Sequence, residues 1–217
     1  MMMTTHENIL DLSRTWYHGT HSVSALKISE TKIDLTQSRE LLDFGPGFYL
    51  TTNYEQAVKQ AEFKGRGYNH KQNQIYLDTD KEPEYAQGAV MQYEISLEKL
   101  DQLKTHRFAG TGRDWASFIL GNRTNIPNLI FHNRDKVFDA VYGPLADGYR
   151  IPSLILDFEE GIITPLQFAQ RISRYEFPYN NQLSIHTEAA VSCLTLMEVK
   201  PIEIKIETPR PSLNPGR

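Results

Sequence analysis

Asp43-Phe44-Gly45-Pro46-Gly47-Phe48-Tyr49-Leu50-Thr51 is the stretch from which the fold reads most directly. Gly45, Pro46 and Gly47 interrupt a run that is otherwise strand-like. Proline fixes a turn there, and the flanking glycines let the backbone approach a neighbour or a ligand closely. The chain leaves the turn as a strand in which Phe48 and Tyr49 point to opposite faces, because successive side chains alternate. Phe48 is therefore expected in the core and Tyr49 on a cleft wall, where its ring can stack on a planar cationic ring. Asp43, just before the turn, is expected to brace the loop through an Asx-type turn.

Upstream, Trp16-Tyr17-His18 reads as a first strand ending at Gly19. His18 and Thr20 bring side-chain hydrogen-bonding groups to that end, and Gly19 exposes backbone N–H and C=O suited to pairing with an amide. The remaining elements follow from alternation and capping signals. Ser22 or Ser24 opens a short segment through Ile28, and Ile33-Asp34-Leu35 is a brief extended piece. Thr52 or Asn53 caps a helix from Tyr54 to Phe63 with Ala57, Val58 and Ala61 on its apolar side. The polar, charge-rich Lys64 to Tyr85 reads as a long solvated loop with a short strand at Gln74-Ile75-Tyr76-Leu77. Val90 to Ile95 alternates as a strand, and Asp114 opens a helix whose Trp115, Phe118 and Ile119 share one face. Phe138 to Tyr142 is a strand entering a Gly143-Pro144 turn, Ile151 to Phe158 is apolar, and Thr164-Pro165 caps a helix to about Ile172. Leu183 to His186 is a strand, Thr187-Glu188 starts a helix to about Met197, and Val199 to Ile206 closes the fold as a strand. Short strands interleaved with a few helices predict an α+β class.

Composition bounds the rest. With 217 residues, 40% hydrophobic and 23% charged, the chain suits one globular domain with a real core. We place a lead-in at 1–14, the domain at 15–207 and a tail at 208–217, where three prolines in nine residues oppose packing. A net charge of −4 gives no global attraction to nucleic acid or an anionic membrane. The single Cys193 excludes an intramolecular disulfide and a cysteine-based zinc site, and suits a reducing compartment. The segment Met1 to Glu7 has neither the basic nor the apolar region of a secretory signal, and no apolar run has membrane-spanning length. Phosphate-loop, dinucleotide-fingerprint and metal-site spacings are all missing from the sequence.

His18-Gly19-Thr20 followed by Phe44-Gly45-Pro46-Gly47-Phe48-Tyr49-Leu50-Thr51 resembles the signature of ADP-ribosyltransferases of the diphtheria-toxin and poly(ADP-ribose) polymerase type. The likeness is greatest to small bacterial toxin-type domains of that superfamily. It continues through Trp115-Ala116-Ser117-Phe118-Ile119 with Asn122-Arg123, then Asp139 to Asp147, then Asn181-Gln182-Leu183-Ser184-Ile185, and so spans residues 15 to 196. The resemblance implies a split β-sandwich with peripheral helices, NAD as co-substrate and no metal. It further implies a mono-ADP-ribosyltransferase, a bacterial toxin or effector of toxin–antitoxin type acting in the cytoplasm or delivered into a target cell's cytosol. Its partners would be NAD, an unidentified acceptor and an antitoxin or immunity protein, with no membrane. The acidic net charge favours a protein or small-molecule acceptor over nucleic acid.

Carried over residue by residue, the resemblance gives His18 a hydrogen bond to the adenosine-side ribose and Gly19 the nicotinamide amide through its backbone. Thr20 adds a hydroxyl to the same amide or pins a turn, Gly47 allows close backbone approach, and Tyr49 stacks on nicotinamide. Arg123 reaches the pyrophosphate or the acceptor, or with Asn122 simply ends a helix. Gln182 stands where typical members carry glutamate; it keeps the hydrogen bonds but has no charge and cannot act as a general base. Gln60, eleven positions after Tyr49, stands where polymer-forming relatives often have a second stacking tyrosine. Both departures point away from polymer synthesis. Asp139 and Asp147 orient the site or are ordinary strand-end and turn carboxylates, and Glu176 and Glu188 are alternative carriers of charge or surface groups. The competing readings are a catalytically degenerate NAD- or ADP-ribose-binding module and an NAD glycohydrolase.

Overall fold

Val90 faces one side of its strand and Ala89, Met91 and Tyr93 the other, and all four are buried. A strand buried on both faces lies inside a layered structure, and the computed structural model places it so. It describes residues 12–76, 82–126, 129, 131–146, 150–173 and 180–205. In chain order these form β1 (Thr15–His21), α1 (Ser22–Thr31), β2 (Phe48–Leu50), α2 (Tyr54–Tyr76), β3 (Gly88–Ile95), α3 (Leu97–Leu100) and β4 (Thr105–Arg107). There follow α4 (Arg113–Arg123), β5 (Ala140–Pro144), α5 (Ile151–Glu159), α6 (Pro165–Ile172), β6 (Asn181–Ile185), α7 (Glu188–Val191) and β7 (Leu194–Ile202).

The chain is a mixed α+β protein with two sheets. In the first, β3 lies between β1 and β7 and is antiparallel to both. The second runs β2-β6-β5-β4, antiparallel except for the parallel β4–β5 edge. The sheets meet at a bridge between Tyr17 and Thr51, each donating its N–H to the other's carbonyl at 2.8 and 2.9 Å. Trp16, Phe48, Met91, Tyr93, Leu183 and Ile185 belong to one core cluster, which draws residues from both sheets. Phe44, Trp115, Phe118, Val141 and Phe168 form a second cluster with α4, α5 and α6. Phe48 is thus inward, as its alternation with Tyr49 predicts.

Three expectations need correction. The helix after Thr51 does not stop at Phe63, and neither a loop over 64–76 nor a strand at 74–76 exists: α2 continues to Tyr76. Its buried residues are Ala57, Ala61, Gly65 and Asn69, a four-residue repeat of small or polar side chains that lacks the usual apolar bulk. Asn69 secures the far end, donating from Nδ2 to the Ala86 carbonyl at 2.9 Å and accepting the Ala86 N–H at Oδ1 at 2.7 Å. The helix begun at Thr187 ends at Val191, because Leu194–Ile202 extends along the free edge of β3 and pairs with it throughout. Of the extended piece expected over Ile33–Leu35, Asp34 is extended, but Leu35 opens a 3-10 turn to Gln37 in which Asp34 accepts the Thr36 N–H. Thr164 does cap α6 ahead of Pro165 as expected, and with Gln167 it completes a capping box. The Pro209–Arg217 tail, residues 1–11 and Leu77 lie outside the described residues.

Small side chains let α2 lie directly on β1. A Cβ at Gly19 would stand 2.0 Å from the Ala57 carbonyl oxygen and 2.9 Å from the Ala61 nitrogen, both immovable backbone atoms. Gly19 is therefore a packing residue before it is anything else. Gly67, on the same helix, has nothing within 4 Å of an added Cβ. Gly19→Ala is expected to cost about 3 kcal/mol through overpacking. Gly67→Ala should instead raise stability by up to about 1 kcal/mol through helix propensity. Urea midpoints of the two variants against wild type measure the contrast, and equal midpoints would refute the packing assignment.

Candidate functional site

The Tyr17–Thr51 bridge fixes the next residue along. His18 Nδ1 lies 2.7 Å from the Tyr49 carbonyl, and its ring stacks on Phe48 at 4.1 Å between centroids and 24° between planes. A carbonyl only accepts, so Nδ1 carries the hydrogen. Desolvation lowers the His18 pKa to about 4, against the opposing effect of the Tyr49 hydrogen bond, and the Lys64 charge lowers it further. The ring is consequently neutral at physiological pH, and Nε2, an acceptor, has no hydrogen-bond partner among the described residues.

The glycine loop is held from three directions. Gly45 has φ +91°, a conformation that glycine adopts without steric cost. The Tyr49 hydroxyl donates to the Gly45 carbonyl at 2.7 Å and accepts the Phe44 N–H at 3.0 Å, so the side chain that leaves the loop also ties it together. Burial, and then the nearby Asp43 charge, raise the Tyr49 pKa well above its usual value. Ser38 accepts the Gly47 N–H at 2.7 Å. On the inner side, a Cβ at Gly47 would lie 2.7 Å from both His186 Nδ1 and the Ile185 carbonyl. Gly47 thus admits β6 and its flank, and its N–H is already occupied. His186 is fully buried; its Nδ1–H donates to the Pro46 carbonyl at 2.7 Å and its Nε2 accepts from Ser184 at 2.7 Å. Desolvation lowers the His186 pKa to about 4 as well.

Asp43 does not close an Asx turn. Its carboxylate reaches away from its own loop. Oδ1 takes Arg123 Nε at 2.6 Å and a second Arg123 nitrogen at 2.5 Å. Oδ2 takes Gln182 Nε2 at 2.8 Å and the Ala146 N–H at 3.1 Å. Neighbouring Asn122 donates to the Asp43 carbonyl at 3.2 Å and accepts the Asn133 N–H at 2.8 Å, so the end of α4 clamps the loop twice. Arg123 is accordingly the partner of a buried carboxylate as well as the basic residue in the last turn of α4.

These elements enclose a cleft of about 520 Å³. His18, Gly19, Thr20, Gly47, Tyr49, Arg123 and Gln182 all line it, although the sequence scatters them over more than 160 positions. Gln60 lines it too. Asp139 does not; it accepts the Lys104 N–H and the Thr187 hydroxyl at the other end of the second sheet. Glu188 is likewise absent from the lining, and Asp147 and Glu176 lie outside the described residues.

Sequence reasoning missed the charge of this cleft. Among the described residues, Lys27, Lys32, Arg39, Lys64 and Arg123 line it against only Asp34 and Asp43. Asp43 is matched by Arg123, and Asp34 is taken up by the Thr36 N–H, the Thr36 hydroxyl and Gln37. Lys64 is exposed by area and lines the cleft; desolvation, then the Arg39 charge, lowers its pKa. The Lys64 charge also lowers the pKa of His21, after the larger effect of desolvation. A chain of net charge −4 therefore focuses positive potential at one concavity. The missed signal was the length of α2, which carries Lys64 to the cleft mouth.

Among the described residues, no helix is long and apolar enough to cross a membrane, and no group of three or more His, Cys, Asp or Glu could hold a metal ion. The chain belongs to the family described as "Protein of unknown function (DUF3990)", whose profile matches residues 15–196. No curated protein and no solved structure matches it.

His18 and His186 make folding pH-dependent in a defined direction. Both have folded pKa values of about 4 against an ordinary 6.5. Their contribution is complete above the unfolded value and is lost as pH falls toward the folded one. Denaturation midpoints should fall steeply between about pH 6.5 and about pH 4, by on the order of 3 kcal/mol per ring at most. Replacing either ring by glutamine should flatten that slope by about half, and an unchanged slope in both variants would refute the assignment.

Proposed function

For this member of the family, we propose an NAD-dependent mono-ADP-ribosyltransferase, a bacterial toxin or effector working in a cytosol. The observation that supports it most is convergence: seven residues marked by the sequence signature line one cleft at the junction of two sheets. Two sheets touching at a single bridge, with helices outside them, also suit the split β-sandwich of that superfamily. The cationic lining suits the diphosphate of NAD, and the bare Nε2 of His18 suits a ribose hydroxyl.

In this reading NAD lies along the cleft with its phosphates toward Arg39 and Lys64. Gly19 and Thr20 hold the nicotinamide amide, and Tyr49 forms the wall against which the ring stacks. The nicotinamide–ribose C–N bond breaks, and nicotinamide departs with the bonding pair, which neutralises its ring. The oxocarbenium-like sugar then takes an electron pair from an acceptor nucleophile, whose proton passes to solvent or to a group on the acceptor. The acceptor is a protein or a small molecule, and an antitoxin or immunity partner belongs to the same proposal. A second reading, a binding module without transfer, draws on Gln182, which carries no charge of its own at the strand opening.

Nicotinamide release from NAD by the purified protein, with and without bacterial lysate, tests the proposal. Release that rises with lysate and leaves ADP-ribose on a component is the expected result. His18→Ala and Tyr49→Ala should each lower it on the order of 100-fold, as loss of one preorganised contact does. Tyr49→Phe, which keeps the ring and drops only the hydroxyl bonds to the loop, should retain more of it. Lysate-independent release would mean a glycohydrolase, and NAD binding without release would favour the binding module. Neither binding nor release would refute the nicotinamide site itself.

A further inference from the structure

We propose that Asp43 orients and polarises the Gln182 amide, which is thereby set with its oxygen toward a ligand hydroxyl. The proposal rests on the reading of the cleft as an NAD site.

A carboxylate only accepts hydrogen bonds, so the end of the Gln182 amide lying 2.8 Å from Asp43 Oδ2 must be its NH2. Chemistry, not assignment, fixes the orientation. The other end of a planar amide points away from its first, and Gln182 lines the cleft. Among the described residues, Oε1 has no hydrogen-bond partner, and it is not among the fully buried unpaired atoms. Position 182 therefore presents an acceptor, strengthened because donation to an anion on one side of an amide polarises the oxygen on the other. His18 Nε2 is a second bare acceptor in the same cleft, for the same reason: its other nitrogen is committed to a carbonyl. Two acceptors and no competing acid select a ligand that donates twice, as the vicinal hydroxyls of a ribose do.

The arrangement reverses the natural expectation about Gln182. Glutamate there would not restore a missing charge. It would set a second carboxylate against Asp43, where a donor is required. Two carboxylates at that distance share a proton, and the ionised pair is disfavoured. Among the described residues, the charged or titratable groups on this pair are Arg123 from α4, already bidentate on Oδ1, and Tyr49 from β2, whose ionisation the Asp43 charge opposes. Ala146 contributes only an N–H. Among the described residues, no cation other than Arg123 pairs with Asp43 or Gln182. Asp43 is a positioning residue in this scheme, and Gln182 is the group that meets the ligand.

The sign of the pH effect follows. A carboxylate whose folded pKa is raised by a like charge leaves stability unaffected below its unfolded value, about 4.3, and costs progressively more up to the raised one. Thermal melts of wild type, Gln182→Glu, Asp43→Asn and the exchanged pair Asp43→Asn/Gln182→Glu provide the test. Gln182→Glu should melt roughly 5 °C below wild type at about pH 8, with the gap narrowing toward about pH 5. The exchanged pair, again one carboxylate and one amide, should melt above Gln182→Glu at about pH 8. Nicotinamide release by Gln182→Glu should not exceed that of wild type. Should Gln182→Glu fail to fold, recovery of folding in the exchanged pair is the supporting result, and failure of that pair where Asp43→Asn folds overturns the proposal. A Gln182→Glu variant that melts with wild type at both pH values, or releases nicotinamide faster, overturns it as well. The melts decide the matter whether or not NAD is cleaved; absence of release from wild type would sink the transferase reading alone.

Discussion

The buried carboxylate of Asp43 is the constraint on which the site depends. At 4% exposure it cannot be left to water, and an acceptor-only group in that position must collect donors from whatever surrounds it. It collects them from the end of α4, from the residue chain beyond β5 and from β6, that is, from Arg123, Ala146 and Gln182. Breaking one member of such a set leaves the others buried and unmatched, which is why the set behaves as a unit. Its consequences run outward. With Asp43 fixed, the loop over Phe44 and Gly45 is fixed. That loop holds the Tyr49 hydroxyl, and the Tyr49 carbonyl in turn selects the tautomer of His18.

Tightness around this centre comes from side chains that are missing. Gly19 lets α2 rest on β1, and Gly47 lets the loop rest on the end of β6. Neither glycine is needed for a left-handed backbone; each is needed because main chain already fills the space where a Cβ would be. The glycine signature of the sequence is therefore explained by packing before any ligand is invoked. His18 and His186 extend the same logic to polar groups. Each commits Nδ1–H to a carbonyl of the loop and strand, and each is neutral because burial disfavours the charged ring.

What could be read in the sequence was local, and what could not was long-range. The strands around His18 and Tyr49, the inward Phe48 and the Thr164 cap of α6 are set by neighbours one to four positions away, and pattern reasoning reaches them. The second half of α2 escaped because its buried stripe of Ala57, Ala61, Gly65 and Asn69 has little apolar content; packing against β1 and the Ala86 clamp hold it instead. The end of α7 was misplaced because the free edge of β3 determines where β7 begins. Asp43 was the instructive failure. Turn chemistry offers an aspartate its own backbone two residues on, but here partners 80 and 139 positions away take the carboxylate instead. The gathering of His18, Gly19, Thr20, Tyr49 and Gln182 around one cleft was implied by the resemblance, whereas the cationic rim was not, because its members come from segments far apart in the chain, Arg39 from a loop and Lys64 from the unpredicted half of α2.

Sorting of charge gives the cleft its selectivity. The chain as a whole is acidic, and the two carboxylates that reach the cleft are both consumed internally, Asp43 by Arg123 and Asp34 by its own turn. Among the described residues, Arg39 and Lys64 form no ion pair, and the Arg39 charge lowers the Lys64 pKa. Deeper in, the polar groups on offer are neutral acceptors, not anions, so they do not cancel the field of the cations at the mouth. A purely anionic ligand would satisfy the rim and leave the acceptors unpaired. A neutral polyol would satisfy the acceptors and leave like charges facing each other. In the function proposed above, a molecule joining anionic groups to hydroxyl donors answers both demands, as a sugar bearing phosphates does.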